Sequence, residues 1–356
     1  MPRMLAWLLL LAWAFPCRAG VAAAPVAHEV EAELSAPPEL LAALPEQATD
    51  RHLSTMARVQ AIVDFMTGDT GLALRYREQP TFGIDEAYAR REVNCLSFTL
   101  MFVALARASG IRAHAQASDD VVAAEVFDGM LYRTTHMNAG VEADDGRVYS
   151  VDVGWRDVLA EREPTRIVDA RALALLHGNR AVEALLQGDA AGANAEIGRA
   201  LALDPAHASG WSNAGVVHAR GGDTDAAERD YLRALELDRD HIGALGNLAA
   251  LYRARGDAAA AAAYDERLRR VQADDPFSQY LLGRQLAEQG ANGEAIAHLR
   301  RAIHLLPRQP AFHRALAQAY RGAGDIAAAL RAERRAQALE DALERRRAIR
   351  DAGRPG

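Results

Sequence analysis

Five glycines constrain this chain more than any other feature. Gly188, Gly222, Gly256, Gly290 and Gly324 recur at one constant interval, and Ala193, Ala227, Ala261, Ala295 and Ala329 keep the same step. A fixed period of this kind means one supersecondary unit copied along the chain. Each copy is too small to bury its own apolar face and stacks on the next. The residues between the glycines are rich in Ala, Leu, Arg and Glu, which favour helix, and show no strand-like alternation. Each unit therefore reads as a helix-turn-helix, and five units occupy the chain from about Asp169 onward. A generic Ala-rich bundle has no reason to hold five glycines in phase. The third unit departs late, where Asp275-Pro276 arrives a few residues after its expected place.

Further residues sharpen the pattern. Trp211, Ala214-Gly215 and Tyr231 fall in the second unit, Leu248-Ala249 and Tyr252 in the third, and Pro205 and Pro307 lie three periods apart. This resembles the tetratricopeptide repeat, a helix-turn-helix unit of about 34 residues, and the glycine interval matches it. The resemblance implies an all-α superhelix over 170–340, followed by a charged tail over 341–356. The charged stretch Arg331 to Arg350 reads as a solvated capping helix, since terminal repeats need a polar outer face. Asn179, Asn213 and Asn247 are also spaced by one period, in the first helix of their units. An amide both donates and accepts, which suits the backbone of an extended peptide. The row resembles the asparagine ladder of the O-linked N-acetylglucosamine transferases, and it stops at Leu281 and Ala315. It implies a protein or extended peptide as partner. Repeat-consensus packing is the competing explanation of the row.

The front of the chain is different. Arg3 followed by the apolar run Leu5 to Phe15, with small residues from Ala19 to Ala24, reads as a signal peptide over 1–24. The run is too short to span a bilayer. Export, with a periplasmic destination, is the expectation. Cys17 is a poor candidate for lipidation, because Ala14-Phe15-Pro16 departs from what a lipidated cysteine wants before it. Residues 25–52 are rich in Ala, Pro and Glu and read as a poorly ordered lead-in. Helical spacing follows from Leu53 to Met66, and a short helix at Asp85 to Arg91. Cys95 to Ala106 is apolar nearly all round, as a buried helix is, and Gly110 is a natural stop for it. Strands are expected at 111–116, 132–142 and 148–153. Asp144-Asp145-Gly146 is the turn joining the last two into a hairpin. Asp119-Asp120 reads as loop and His114 as a strand surface residue.

Removal of the signal leaves Cys95 as the only thiol, which bars an intramolecular disulfide and raises a reactive or an intermolecular role. Nucleophilic cysteine chemistry needs a thiolate, a base to hold its proton and a group to orient that base. Cys95 follows Asn94 at the mouth of the apolar helix, where the helix end favours an anion. His136 lies on the first strand of the hairpin and Asp152 on the second. A three-residue turn brings Asn138 opposite Asp152, with His136 one step along the same face.

Asn94-Cys95-Leu96-Ser97-Phe98-Thr99 with its apolar helix, Thr135-His136-Met137-Asn138 and Tyr149-Ser150-Val151-Asp152 together resemble the cysteine, histidine and aspartate motifs of the bacterial transglutaminase-like superfamily. The motifs stand in the same chain order. The resemblance covers 53–165 and implies an α+β papain-like fold with Cys95, His136 and Asp152 as catalytic residues. No upstream side chain matches an oxyanion donor, which leaves the backbone N–H of Cys95. The superfamily includes proteases, amidases and transamidases as well as inactive binding domains. Two readings therefore stay open. One is a cysteine hydrolase or acyltransferase whose repeats recruit a partner. The other is a non-catalytic scaffold with a degenerate front domain.

Composition closes other routes. The net charge of −7 gives no electrostatic case for nucleic acid. All 41 basic residues are arginine, as a GC-rich coding bias produces. The eleven histidines show no metal-ligand spacing, and no Gly-rich phosphate loop occurs, so neither metal nor cofactor is expected.

Overall fold

The computed structural model describes residues 23–127, 130–152 and 165–352. The apolar run Leu5 to Phe15 and Cys17 lie outside the described residues. Three helices come first, α1 (Ala23–Glu33), α2 (Pro38–Ala42) and α3 (Glu46–Thr49). The expectation of a poorly ordered lead-in is corrected here. Leu40 and Ala48 are fully buried, and the Nε of Arg58 donates to the Ala48 carbonyl at 3.1 Å. Glu33 of α1 meets Nε2 of buried His177 at 3.0 Å, across 144 residues of sequence. Tertiary contacts, rather than local propensity, order this segment.

The front core is built around one helix. After α4 (Thr55–Thr67), the two-residue strand β1 (Arg75–Tyr76), α5 (Ile84–Arg90) and β2 (Glu92–Val93), the chain enters α6 (Cys95–Ala108). Every residue of α6 from Leu96 to Ala106 is buried. The helix stops where Gly110 takes φ +75°. An antiparallel sheet packs on it, made of β3 (Ala113–Phe127), β4 (Met130–Glu142), β5 (Val148–Val151) and β6 (Thr165–Arg166) in the order β5-β4-β3-β6. Ala113, Ala115, Met137, Ala139, Val141 and Val151 join the α6 core. The expected β4–β5 hairpin is present, with Ala139 opposite Val151 and Val141 opposite Tyr149. The first strand is longer than the sequence suggests. Asp119 and Asp120, expected in a loop, lie within β3, which bulges between Ala117 and Ala123. Cross-strand pairing with β4 outweighs the low strand preference of aspartate.

Five helical hairpins follow, in step with the phased glycines. They are α7 (Asp169–Leu186) with α8 (Ala190–Leu203), α9 (Ala208–Arg220) with α10 (Thr224–Leu237), and α11 (Ile242–Ala254) with α12 (Ala258–Asp274). Then come α13 (Pro276–Glu288) with α14 (Asn292–Leu305), and α15 (Pro310–Gly322) with α16 (Ile326–Ala352). All five phased glycines sit at the turn inside a hairpin, with φ between +79° and +84°. Asp189, Asp223 and Asp257, each directly after its glycine, cap the next helix by accepting a backbone N–H at 2.8–3.0 Å. The phased alanines are buried, from Ala193 at 0 % exposed to Ala261 at 4 %, which lets paired helices approach. Gly215 serves the same end, since a Cβ there would lie 2.4 Å from the Tyr231 ring.

The late third unit has a simple cause. α12 runs to Asp274, and Asp275 alone joins it to α13, whose N-terminus it caps through the Ser278 N–H. The boundary drawn at 341 has no counterpart in the backbone, because α16 continues through it to Ala352. The array is joined to the front part by more than the linker. Ala172, Leu173, Ala174 and Leu176 of α7 belong to the α6 core, and Arg107 grips Asp169 through two bonds of 2.6 and 2.9 Å. β4 also touches α11, and β3 touches α13.

The glycine turns supply a direct test. No atom lies within 4 Å of a Cβ built on Gly222, so only the left-handed backbone opposes substitution there. Gly222→Ala is expected to destabilise the protein by about 1 kcal/mol in a urea titration. Gly222→Asn should cost less, because asparagine tolerates this conformation. Equal loss in both variants would place the cause in packing instead.

Candidate functional site

The end of α6 is prepared by its cap. Asn94 precedes the helix in an extended conformation, and its Oδ1 accepts the Ser97 N–H at 2.9 Å. The Phe98 N–H bonds the Asn94 carbonyl at 2.9 Å. The backbone N–H groups of Cys95 and Leu96 precede the first intrahelical bond and are the donors left at this end. Cys95 is the first helical residue, partly exposed and not in a disulfide.

The histidine and aspartate expected from the sequence meet beside it. Asn138 and His136 share a face of β4 by the two-residue period, and the β4–β5 register, carried one step on, sets Asn138 level with Asp152. His136 is buried, and its Nε2 is hydrogen-bonded to Oδ2 of Asp152. The Cys95 thiol lies beside the same ring, close enough to act on its ionisation. Cys95, His136 and Asp152, brought in from a helix end and two strands, thus meet at one imidazole. Burial alone would lower the imidazole pKa. The hydrogen bond to Asp152 and the thiol of Cys95 outweigh it and raise the pKa to about 9. His136 is therefore an imidazolium at neutral pH, the form that pairs with a thiolate.

That shift has a consequence for stability. The folded pKa lies above the unfolded value of about 6.5, so the stabilisation is complete below pH 6.5 and is lost as pH rises through about 9. Wild type is expected to lose on the order of 2–3 kcal/mol more than His136→Gln between pH 6.5 and pH 10. Paired urea titrations at the two pH values measure it. Parallel losses would mean that the imidazolium is not held by the fold.

Other parts of the site escape sequence reasoning. His114, expected at the surface, is buried, and burial lowers its pKa, so it stands neutral. It lies 3.3 Å from the Gln116 amide, whose Oε1 accepts the Ser150 hydroxyl at 3.1 Å. The face of the sheet that looked solvent-facing is closed over, which no local pattern reports. Asn138 is also buried, and its Oδ1 has no hydrogen-bond partner among the described residues.

The array contributes as well. Thr81 and Phe82 form a buried loop between α6 and α7. The Thr81 N–H donates to Glu183 of α7 at 2.8 Å, and Asn94 Nδ2 donates to the Thr81 hydroxyl at 2.9 Å. Burial raises the pKa of Glu183, and the Thr81 bonds act against that. Asn179, Asn213 and Asn247 lie on α7, α9 and α11. Asn179 is exposed and the other two half-exposed. The Asn179 amide stands 3.4 Å from the Thr81 hydroxyl. Among the described residues, no three of His, Cys, Asp and Glu converge as a metal site, and no helix is long and apolar enough to cross a membrane.

No family model matches the chain, and no curated protein matches it. Solved structures resemble part of it. One is the crystal structure of MamA protein, at 19 % identity and TM-score 0.28, over 48 % of this chain and 92 % of that one. A MamA from Desulfovibrio magneticus RS-1 gives 20 % and 0.28, over 48 % and 96 %. YrrB, described as a TPR protein with an unusual peptide-binding site, gives 19 % and 0.26, over 47 % and 87 %.

Proposed function

We propose that this chain is an exported peptide- or protein-binding repeat protein whose front part carries a cysteine acyl-transfer site of the transglutaminase-like kind. The observation that carries the catalytic half is the meeting of Cys95, His136 and Asp152, with the imidazole bonded to the carboxylate and set beside the thiol. In this reading the Cys95 thiolate attacks the carbonyl carbon of a carboxamide or peptide bond. The oxyanion forms beside the backbone N–H of Cys95. The C–N bond breaks as the His136 imidazolium gives its proton to the leaving amine, and an acyl-thioester remains. Water then attacks while His136 takes its proton, which releases the acid and restores the thiol. An amine in place of water yields a new amide. Asp152 holds the ring in the productive tautomer throughout.

The repeats supply the substrate. β4 carries His136 and touches α11, which carries Asn247, so a segment gripped by the asparagine row lies close to the strand of the site. No metal or cofactor enters any step. A second reading is favoured by the array, which alone accounts for binding: a scaffold whose front part binds without turnover.

The test is the alkylation of Cys95 by iodoacetamide at pH 6, read by mass on its own peptide, in the native protein and after unfolding in urea. Faster labelling of the native protein, despite its partly covered sulfur, supports the thiolate–imidazolium pair. Native labelling no faster than that of the unfolded chain overturns the catalytic half and leaves the scaffold.

A further inference from the structure

The nucleophile's helix is capped by an asparagine whose amide must face one way. Its Oδ1 has to meet the Ser97 N–H, and its Nδ2 has to point elsewhere. A bare asparagine has no such preference, since the amide turns over with little change of shape. The Thr81 hydroxyl, with the Glu78 carbonyl at a longer 3.4 Å, takes the Nδ2 side. The hydroxyl accepts from Asn94 Nδ2 at 2.9 Å, and the Glu183 carboxylate holds the Thr81 backbone in place by accepting its N–H at 2.8 Å. The same hydroxyl oxygen takes the Asn179 amide of α7 at 3.4 Å, so it stands as an acceptor toward both amides. The amide is thereby oriented with its oxygen over the helix.

The arrangement is built in from several sides. Thr81 and Asn94 are 4 % and 5 % exposed, so water does not substitute for either partner. Phe82 exchanges both backbone groups with the Ser97 hydroxyl, at 2.8 and 3.0 Å, which fixes the loop to the first turn of α6. Arg180 of α7 reaches the Thr81 carbonyl at 3.4 Å and pairs with Glu86 of α5. Glu183 belongs to the first repeat, 102 residues from Thr81 in sequence. We infer that Thr81 and Glu183 are positioning residues for Cys95: the first helix of the repeat array sets the cap of the nucleophile's helix through the relay Glu183–Thr81–Asn94. This rests on the triad reading proposed above, and it makes the front part dependent on the array for more than substrate delivery.

The experiment uses the full chain and takes the ratio of the Cys95 alkylation rate at pH 6 to that at pH 10. At pH 10 a thiol is largely ionised whatever its neighbours, so the ratio isolates positioning from access. Thr81→Val removes the hydroxyl and keeps the shape, and it should lower the ratio roughly 3- to 10-fold. Thr81→Ser should restore it. Glu183→Gln weakens the charge-assisted hold on the Thr81 N–H at a half-exposed site, and should lower the ratio about 2- to 5-fold. An unchanged ratio in Glu183→Gln and in folded Thr81→Val overturns the relay while the triad stands. If Thr81→Val does not fold, Glu183→Gln decides alone. A wild-type ratio equal to that of the unfolded chain overturns the triad reading, and the relay with it.

Discussion

Replacing His136 by alanine is expected to slow alkylation of Cys95 at pH 6 by one to two orders of magnitude. A free thiol with a pKa of about 8.5 is only ~0.3 % ionised at that pH. The proposed pairing sets the sulfur beside an imidazolium that persists to about pH 9, which favours its attack at pH 6. Lower intrinsic nucleophilicity takes back roughly a factor of ten, and the net advantage is about 10- to 100-fold. Loss of the imidazole removes it. Asp152→Asn keeps a hydrogen-bonding group beside Nε2 but withdraws the charge that raises the imidazole pKa, so its effect should be smaller and show as a downward move of the upper pH limit. On any acyl-transfer substrate, Cys95→Ala and His136→Ala should each lose roughly 10³-fold or more in turnover, and Asp152→Asn less. Equal turnover in wild type and Cys95→Ala would end the catalytic reading.

Joint replacement of Asn179, Asn213 and Asn247 by alanine is expected to weaken peptide binding by one to three orders of magnitude. Each amide contributes on the order of 0.5–1.5 kcal/mol net to a bound backbone, and three acting together give the range. None of the three is buried, so the fold should survive. Asn179 differs from the others, since its amide already stands 3.4 Å from the Thr81 hydroxyl. Its share should be the smallest, and Asn213→Ala with Asn247→Ala should carry most of the loss. A peptide captured by Cys95→Ala serves as the probe, with affinity read by fluorescence anisotropy and folding by circular dichroism. Unchanged affinity in a folded triple variant, or unfolding of that variant, would assign the row to packing.

The parts of this protein that were legible without a structure share a physical property: their signal is local. The repeat period reports itself, because each copy carries the same turn, the same buried alanine and the same glycine at positive φ. An apolar helix that starts at Cys95 declares its burial through its own composition. A hairpin places His136 near Asp152 because the register of two adjacent strands is set by the short turn between them. The Asp caps after the glycines were also there to be read, as Gly-Asp pairs at four of the five turns.

What only the tertiary structure decided depends on partners far away in sequence. Residues 25–52 look unstructured by composition and are helical because Glu33 finds His177 and Leu40 finds the core. His114 has the alternation of a surface residue and is buried because the other face of its sheet is covered as well. Thr81 and Glu183 carry no motif at all. Their pairing exists only because α7 packs against the loop before α5, and a hydrogen bond closing 102 residues leaves no trace in the local pattern on either side of it.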